Sequence, residues 1–184
     1  MKAILGLPSG GFALSDVPAP SIGEGELLLE MRACGLCGTD LAKLARPEES
    51  AGVRLGHEFA GVVRALGPGV SRYAPGDRLA VAHHVPCGTC WACRHGSESM
   101  CPQFKRTNVD PGGFSELIRI PAPHLAQVAF RLPDDLPDEE ASFIEPLGCA
   151  VRAVERSGVL AGDRIAVVGG GGMGLLIAQT IHQL

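Results

Sequence analysis

The chain has 184 residues, enough for one large domain or for one domain and part of a second. Its formal net charge of -4 leaves no basic footprint for nucleic acid, and no apolar run approaches the ~20 residues of a membrane helix. Hydrophobic content of 46% with only 4% aromatics calls for an aliphatic core, and 25 glycines with 14 prolines call for many turns.

Residues 2–7 and 11–15 predict a short hairpin that turns at Pro8-Ser9-Gly10. Across residues 26–33, Leu27, Leu29, Met31 and Ala33 alternate with Leu28, Glu30 and Arg32, the period of a strand. Thr39 or Asp40 is expected to cap a short helix through Leu41 and Leu44 that stops before Pro47. Residues 59–66 and 78–82 read as strands, separated by Gly67-Pro68-Gly69 and Pro75-Gly76-Asp77, and residues 114–120 read as another. The texture then changes. Leu136-Pro137-Asp138-Glu139-Glu140 opens a helix, with acids in its first turn. Pro146 opens a second at its first position, running to about Ser157 and closing at Gly158. Asp163–Val168 reads as a short apolar strand, followed by Gly169-Gly170-Gly171-Gly172-Met173-Gly174 and a helix from Leu175. The expected fold is mostly β with short helices over residues 1–145, then a connector helix and one β-turn-α unit over residues 146–184.

Seven cysteines are present, and four of them lie within fifteen residues. No secretory pattern precedes them, since the apolar run after Met1-Lys2 breaks at Gly6 and Pro8. A cytoplasmic location and metal binding are therefore expected ahead of disulfides. Cys87, Cys90, Cys93 and Cys101 have the spacing C-x2-C-x2-C-x7-C, which can surround one tetrahedral ion and leave no position for substrate. Such a site is structural: it clips a long loop with little apolar content. An iron–sulfur cluster is the competing metal reading, and two disulfides the weaker one.

Cys37, His57 and Glu145 are scattered, so their spacing alone says little; each could be an ordinary thiol, imidazole or carboxylate. Together they are the Cys, His and carboxylate donors of an open zinc site, with the Thr39 hydroxyl close by. Gly169-x-Gly171-x-x-Gly174, with Gly172 inside it, follows an apolar run and opens a helix. That is the setting of a dinucleotide fingerprint, although a ligand-free glycine turn would look the same.

Cys34-Gly35-Leu36-Cys37-Gly38-Thr39-Asp40, Gly56-His57-Glu58, the four-cysteine loop, Gly112-Gly113-Phe114-Ser115-Glu116, Glu145-Pro146-Leu147 and the glycine run resemble, in that order, the zinc-dependent medium-chain dehydrogenases. Glu145-Pro146-Leu147 points to the sorbitol and threonine dehydrogenase branch. The resemblance implies a GroES-like catalytic domain followed by the first β-α unit of a Rossmann domain. It implies hydride transfer between a secondary alcohol or polyol and NAD or NADP, with one catalytic and one structural zinc. Cys37 and His57 would bind the catalytic ion, and Glu145 would be the third ligand or hold its water. Glu58 would be an alternate ligand or close neighbour, and Thr39 would take the substrate proton. Gly169, Gly171, Gly172 and Gly174 would receive the pyrophosphate.

Cys149 falls near the place of a cysteine ligand in the alcohol dehydrogenase branch and is read as a buried thiol. Ala42 stands where many relatives extend the proton path with histidine or tyrosine, so the relay is expected to be shorter. Cys34 is read as structural, and nothing in the spacing makes His83 or His84 ligands. Relatives complete the sheet beyond this length and commonly form homo-oligomers. The sequence is thus expected to be an N-terminal piece of an enzyme, inactive alone, with a non-enzymatic zinc-binding module as the alternative.

Overall fold

The structure is a computed structural model and describes residues 1–45 and 55–183. Strands β1 (Lys2–Gly6) and β2 (Phe12–Asp16) form the expected antiparallel hairpin. The main sheet comprises β3 (Leu27–Gly35), β4 (Glu58–Leu66), β5 (Arg78–Val81), β6 (Leu117–Ile120) and β7 (Ala129–Arg131), in the order β6-β3-β4-β5-β7 with antiparallel neighbours. The alternation in β3 decides which face is buried. Leu27 and Leu29 are fully covered, and their register partners Ile120 and Ile118 are covered with them. Each such side chain contributes about 1.5–3 kcal/mol by leaving water. Phe59, Val63, Leu79 and Tyr73 belong to the same cluster, and the Tyr73 hydroxyl lies 3.2 Å from the Ala129 carbonyl that accepts from it.

Several boundaries differ from expectation. Residues 114–116 do not join β6; they cross to the hairpin, where the Ile4 amide donates to Phe114 O at 2.8 Å and the Glu116 amide to Lys2 O at 3.1 Å. Helix α1 (Gly38–Leu44) is capped by Cys37, not by Thr39 or Asp40. Asp40 sits one turn inside, and its carboxylate accepts from the Cys37 amide at 3.2 Å. Pro47, the expected stop, lies outside the described residues. The short β7, helix α2 (Trp91–Arg94) and helix α3 (Ala122–Gln127) carry too few periodic residues to be read in advance.

Helix α4 (Asp138–Ala141) and helix α5 (Ile144–Ser157) follow, and α5 closes at Gly158 in the left-handed conformation, as expected. Pro146 is the third helical residue of α5 rather than the first, where its missing N–H still costs nothing. Arg78 ties β5 to the start of this region: it donates to Pro133 O at 2.9 Å, to Asp134 O at 3.2 Å, to Leu136 O, and to the Asp138 carboxylate at 2.6 Å.

The expected strand over 163–168 is a correction. That segment pairs with no strand among the described residues, and Val168 is 99% exposed. An apolar run becomes a strand only when neighbours take up its backbone groups. Helix α6 (Gly172–His182) begins three residues earlier than expected and packs against α5. None of the helices described is long and apolar enough to cross a membrane.

Candidate metal centres

The four-cysteine spacing becomes one compact cluster. All four Sγ atoms lie within 4.8 Å of one another, with Cys90–Cys93 at 3.5 Å and Cys87–Cys93 at 3.9 Å. Metal–sulfur bonds of ~2.3 Å in a tetrahedron place the sulfurs about 3.8 Å apart, so the cluster fits such an ion. All seven cysteines are free thiols. The Cys90 amide points at Cys87 Sγ and the Cys87 amide at Cys101 Sγ, each at 3.3 Å. Backbone donors around Thr89 and Cys90 draw the Cys87 thiol down to about 6, whereas desolvation and the neighbouring thiols push Cys93 up to about 12. Four sulfurs this close cannot all ionise without a cation between them. Two arginines of α5 hold the lobe from outside: Arg152 and Arg156 donate to Gly96 O at 2.6 and 2.7 Å.

The second centre forms where β3 ends and β4 begins. Gly35 is registered against Glu58, and a Cβ on Gly35 would fall 2.3 Å from a Glu58 carboxylate oxygen. Gly56 has φ +77, and a Cβ there would meet the Phe114 amide at 2.6 Å. Glycine therefore lets the chain swing His57 and Glu58 toward Cys37. One ligand atom each from Cys37, His57 and Glu58 lie within 4.8 Å of one another.

Behind them Asp40 is wholly buried and accepts from Gly56 N at 3.1 Å. Besides that amide and the Cys37 one, it faces His57, whose Nδ1 lies 3.4 Å from Asp40 Oδ1. That contact falls short of hydrogen-bond geometry and leaves Nδ1 an orphaned buried nitrogen. Burial alone would depress the His57 imidazole, but the Asp40 carboxylate outweighs it and raises the group to about 9. With Nδ1 held toward Asp40, Nε2 is free to act as a ligand, 3.3 Å from Thr39 Oγ1. Soft sulfur, imidazole and carboxylate with a carboxylate-backed histidine fit a zinc ion.

Glu145 stands outside the set that lies within 4.8 Å. It reaches the neighbourhood from α5: desolvation raises its carboxyl, and the charge of His57 acts against that rise. With Phe59, Val81, Phe130, Leu147 and Cys149 it lines an adjoining cavity of about 450 Å³. Cys149 is exposed, which corrects its reading as a buried thiol, and it is not in the set. Cys34 packs against the core, as expected. Asp40 was visible in the sequence only as a possible helix cap; a carboxylate one turn after a candidate ligand was the available signal. His83, which nothing in the spacing made a ligand, packs against His57 with ring centroids 4.7 Å apart and planes tilted by 49°.

At the glycine run, a Cβ on Gly174 would lie 1.9 Å from Gly169 O. The first turn of α6 thus presses on the preceding loop, the close approach that the third glycine of a dinucleotide turn serves. Gly171 caps α6, Gly172 is its first residue, and the run is exposed to solvent.

Residues 23–134 match the family of the alcohol dehydrogenase GroES-like domain. The chain belongs to this family. L-threonine 3-dehydrogenase of Aeromonas salmonicida is 36% identical across 100% of this chain and 54% of its own length. Sorbitol dehydrogenase of Bacillus subtilis is 34% identical over 96% of this chain and 51% of its own. Among solved structures, a protein of Sinorhizobium meliloti assigned as a zinc-binding dehydrogenase and bound to NADP superposes with a TM-score of 0.84 at 35% identity, covering 99% of this chain and 53% of that one. The chain spans about half the length of the relatives it matches. The GroES-like fold expected from the motifs is therefore shown.

Proposed function

We propose that this chain is the metal-binding part of a zinc- and NAD(P)-dependent dehydrogenase of secondary alcohols or polyols. The observation that carries the reading is the convergence of Cys37, His57 and Glu58 with Asp40 behind the histidine. Residues 1–145 form the catalytic domain in this reading, and residues 146–184 begin the nucleotide-binding one. Threonine and sorbitol, in the names of two relatives, set the substrate class as a small hydroxylated molecule.

Cys37, His57 and Glu58 would hold the catalytic zinc, with Glu145 supplying a carboxylate from the α5 side. Cys87, Cys90, Cys93 and Cys101 would hold the structural one. Zinc, when bound, supplies Lewis acidity that stabilises negative charge on an alcohol or carbonyl oxygen. The chain's own groups do the rest. Asp40 fixes the His57 ring. Thr39 Oγ1, next to that ring, takes the substrate's hydroxyl proton and passes it to solvent, because the methyl group of Ala42 cannot extend the path. The apolar cavity beside Glu145 keeps water from the reacting carbon. The amides at the start of α6 receive the cofactor pyrophosphate.

Zinc analysis by mass spectrometry under native conditions tests this. Two ions per chain are expected, falling to one in Cys37→Ser with the four-cysteine ion retained. One ion in the unaltered chain overturns the open centre. A comparison of Glu58→Gln with Glu145→Gln then assigns the carboxylate, and the larger loss of affinity is expected at Glu58.

A further inference from the structure

We propose that His83 and His84 are positioning residues, which carry the order of the four-cysteine lobe to the His57 ring. This rests on the reading of Cys37, His57 and Glu58 as a metal centre.

The segment after β5 runs directly into the lobe. The Ala82 amide donates to Val128 O at 3.0 Å, and His124, 1% exposed, donates through Nε2 to His83 O at 3.0 Å. The backbone at His83 is thus fixed to α3 and its C-terminal end. From there four rings stand in a row. His57 and His83 lie 4.7 Å apart, His83 and His84 4.0 Å, and His84 and Phe104 5.0 Å between centroids. His84 Nδ1 donates to Thr107 O, which fixes its tautomer because a carbonyl only accepts.

Thr107 belongs to the far side of the lobe. Its Oγ1 accepts from the Val85 amide at 2.8 Å and donates to Phe104 O at 2.9 Å. The Phe104 amide donates to Cys101 O at 3.1 Å, and the Cys87 amide to Cys101 Sγ at 3.3 Å. The two strands of chain that enter and leave the lobe are therefore zipped together. One ends in Cys87 and the other begins at Cys101. An ion shared by these two sulfurs closes the zip at its open end.

Little else closes it. Between Cys87 and Phe104 only Cys101 is buried, so the lobe has no apolar core of its own. Its order must come from cross-linking through the sulfurs and from the Arg152 and Arg156 clips. If the cross-link is released, the His84–Thr107 bond and the Phe104 face loosen, and His83 loses its backing. Asp40 holds the Nδ1 edge of His57, and the tilted His83 ring packs against the same imidazole. A ligand ring that loses a packing neighbour binds metal more weakly, as loss of outer partners usually costs about 10–100-fold in affinity.

The test uses the 184-residue chain in a Cys37→Ser background, where the open centre cannot fill, with imidazole-labelled NMR. One equivalent of zinc loads the lobe. The His57 ring signals are expected to shift and sharpen on loading. His83→Ala should abolish the response with lobe zinc retained, and His83→Phe, which keeps a ring, should restore it. His57 signals indifferent to lobe zinc overturn the link. So does a response that survives His83→Ala. In parallel, cobalt is titrated into the unaltered, lobe-loaded chain. Thr107→Val is expected to weaken cobalt binding about 10-fold and alter its visible spectrum; an unchanged affinity and spectrum overturn the link. Failure of the unaltered chain to take any second ion overturns the functional reading instead, and the His57 response then stands or falls separately.

Discussion

A carboxylate with no exposure to water is costly unless its surroundings replace the lost hydration. Asp40 meets that requirement with two backbone amides, of Cys37 and Gly56, and with the His57 imidazole. One side chain thereby fixes the cap of α1, the sharp turn before β4 and the orientation of a candidate ligand. Asp40→Asn preserves the volume and removes the charge. Zinc affinity at the Cys37 centre should fall about 10–100-fold, with the four-cysteine ion unaffected, as read by chelator competition. An unchanged affinity would show that the ring needs no anchor on this edge. The sequence exposed Cys37, Thr39 and His57 through residue type and motif. It did not expose Asp40's role, because that depends on a turn sixteen residues away folding back onto it.

At the level of elements, the sheet alone does not bring Glu145 to the site. Helix α5 does, and its approach is set by the Arg78 fork between β5 and residues 133–138. The Arg78–Asp138 pair is partly covered, with side-chain exposures of 20% and 31%. Arg78→Met keeps the stem and strands three carbonyls and a carboxylate. A loss of about 2 kcal/mol is expected in urea unfolding, smaller than for a fully buried pair. An effect below about 0.5 kcal/mol would place Arg78 among ordinary surface ion pairs. This fork also marks where sequence reading stops. β3 was legible because alternation reports a half-buried sheet, β4 because the turn signal Gly67-Pro68-Gly69 bounds it, and α5 because Gly158 supplies its C-terminal turn. β7 has three residues, and its existence depends on pairing with β5, not on its own pattern. Residues 163–168 had the pattern and lacked a partner, so the same logic failed in the opposite direction.

Across the whole molecule, the histidines set opposing pH limbs for the metal-free chain. His57 is raised to about 9, so the folded state holds an extra proton between about 6.5 and 9, and stability falls as pH rises through that window. Desolvation lowers His83 to about 3 and also lowers His84 and His124. Below about 6.5 the unfolded chain therefore binds more protons, and stability falls as pH drops. The lowered Cys87 thiol works in the opposite sense between about 6 and 9, so the alkaline limb is read as a difference: in chemical unfolding at a series of pH values, the unaltered chain should lose more stability than His57→Gln as pH rises from about 6.5 to 9. Zinc displaces the His57 proton, so the loaded chain should lose the alkaline limb and keep the acid one; a persistent alkaline limb would separate His57 from the metal. The unpaired apolar run before α6 has a different consequence, one of handling. Ile165, Val167 and Val168 are exposed on a backbone with no ladder of its own, next to no proline and little charge. Such a segment is a template on which another extended chain can lay down a strand. Concentrated solutions of this polypeptide are therefore expected to self-associate through this run while the β-rich domain stays folded.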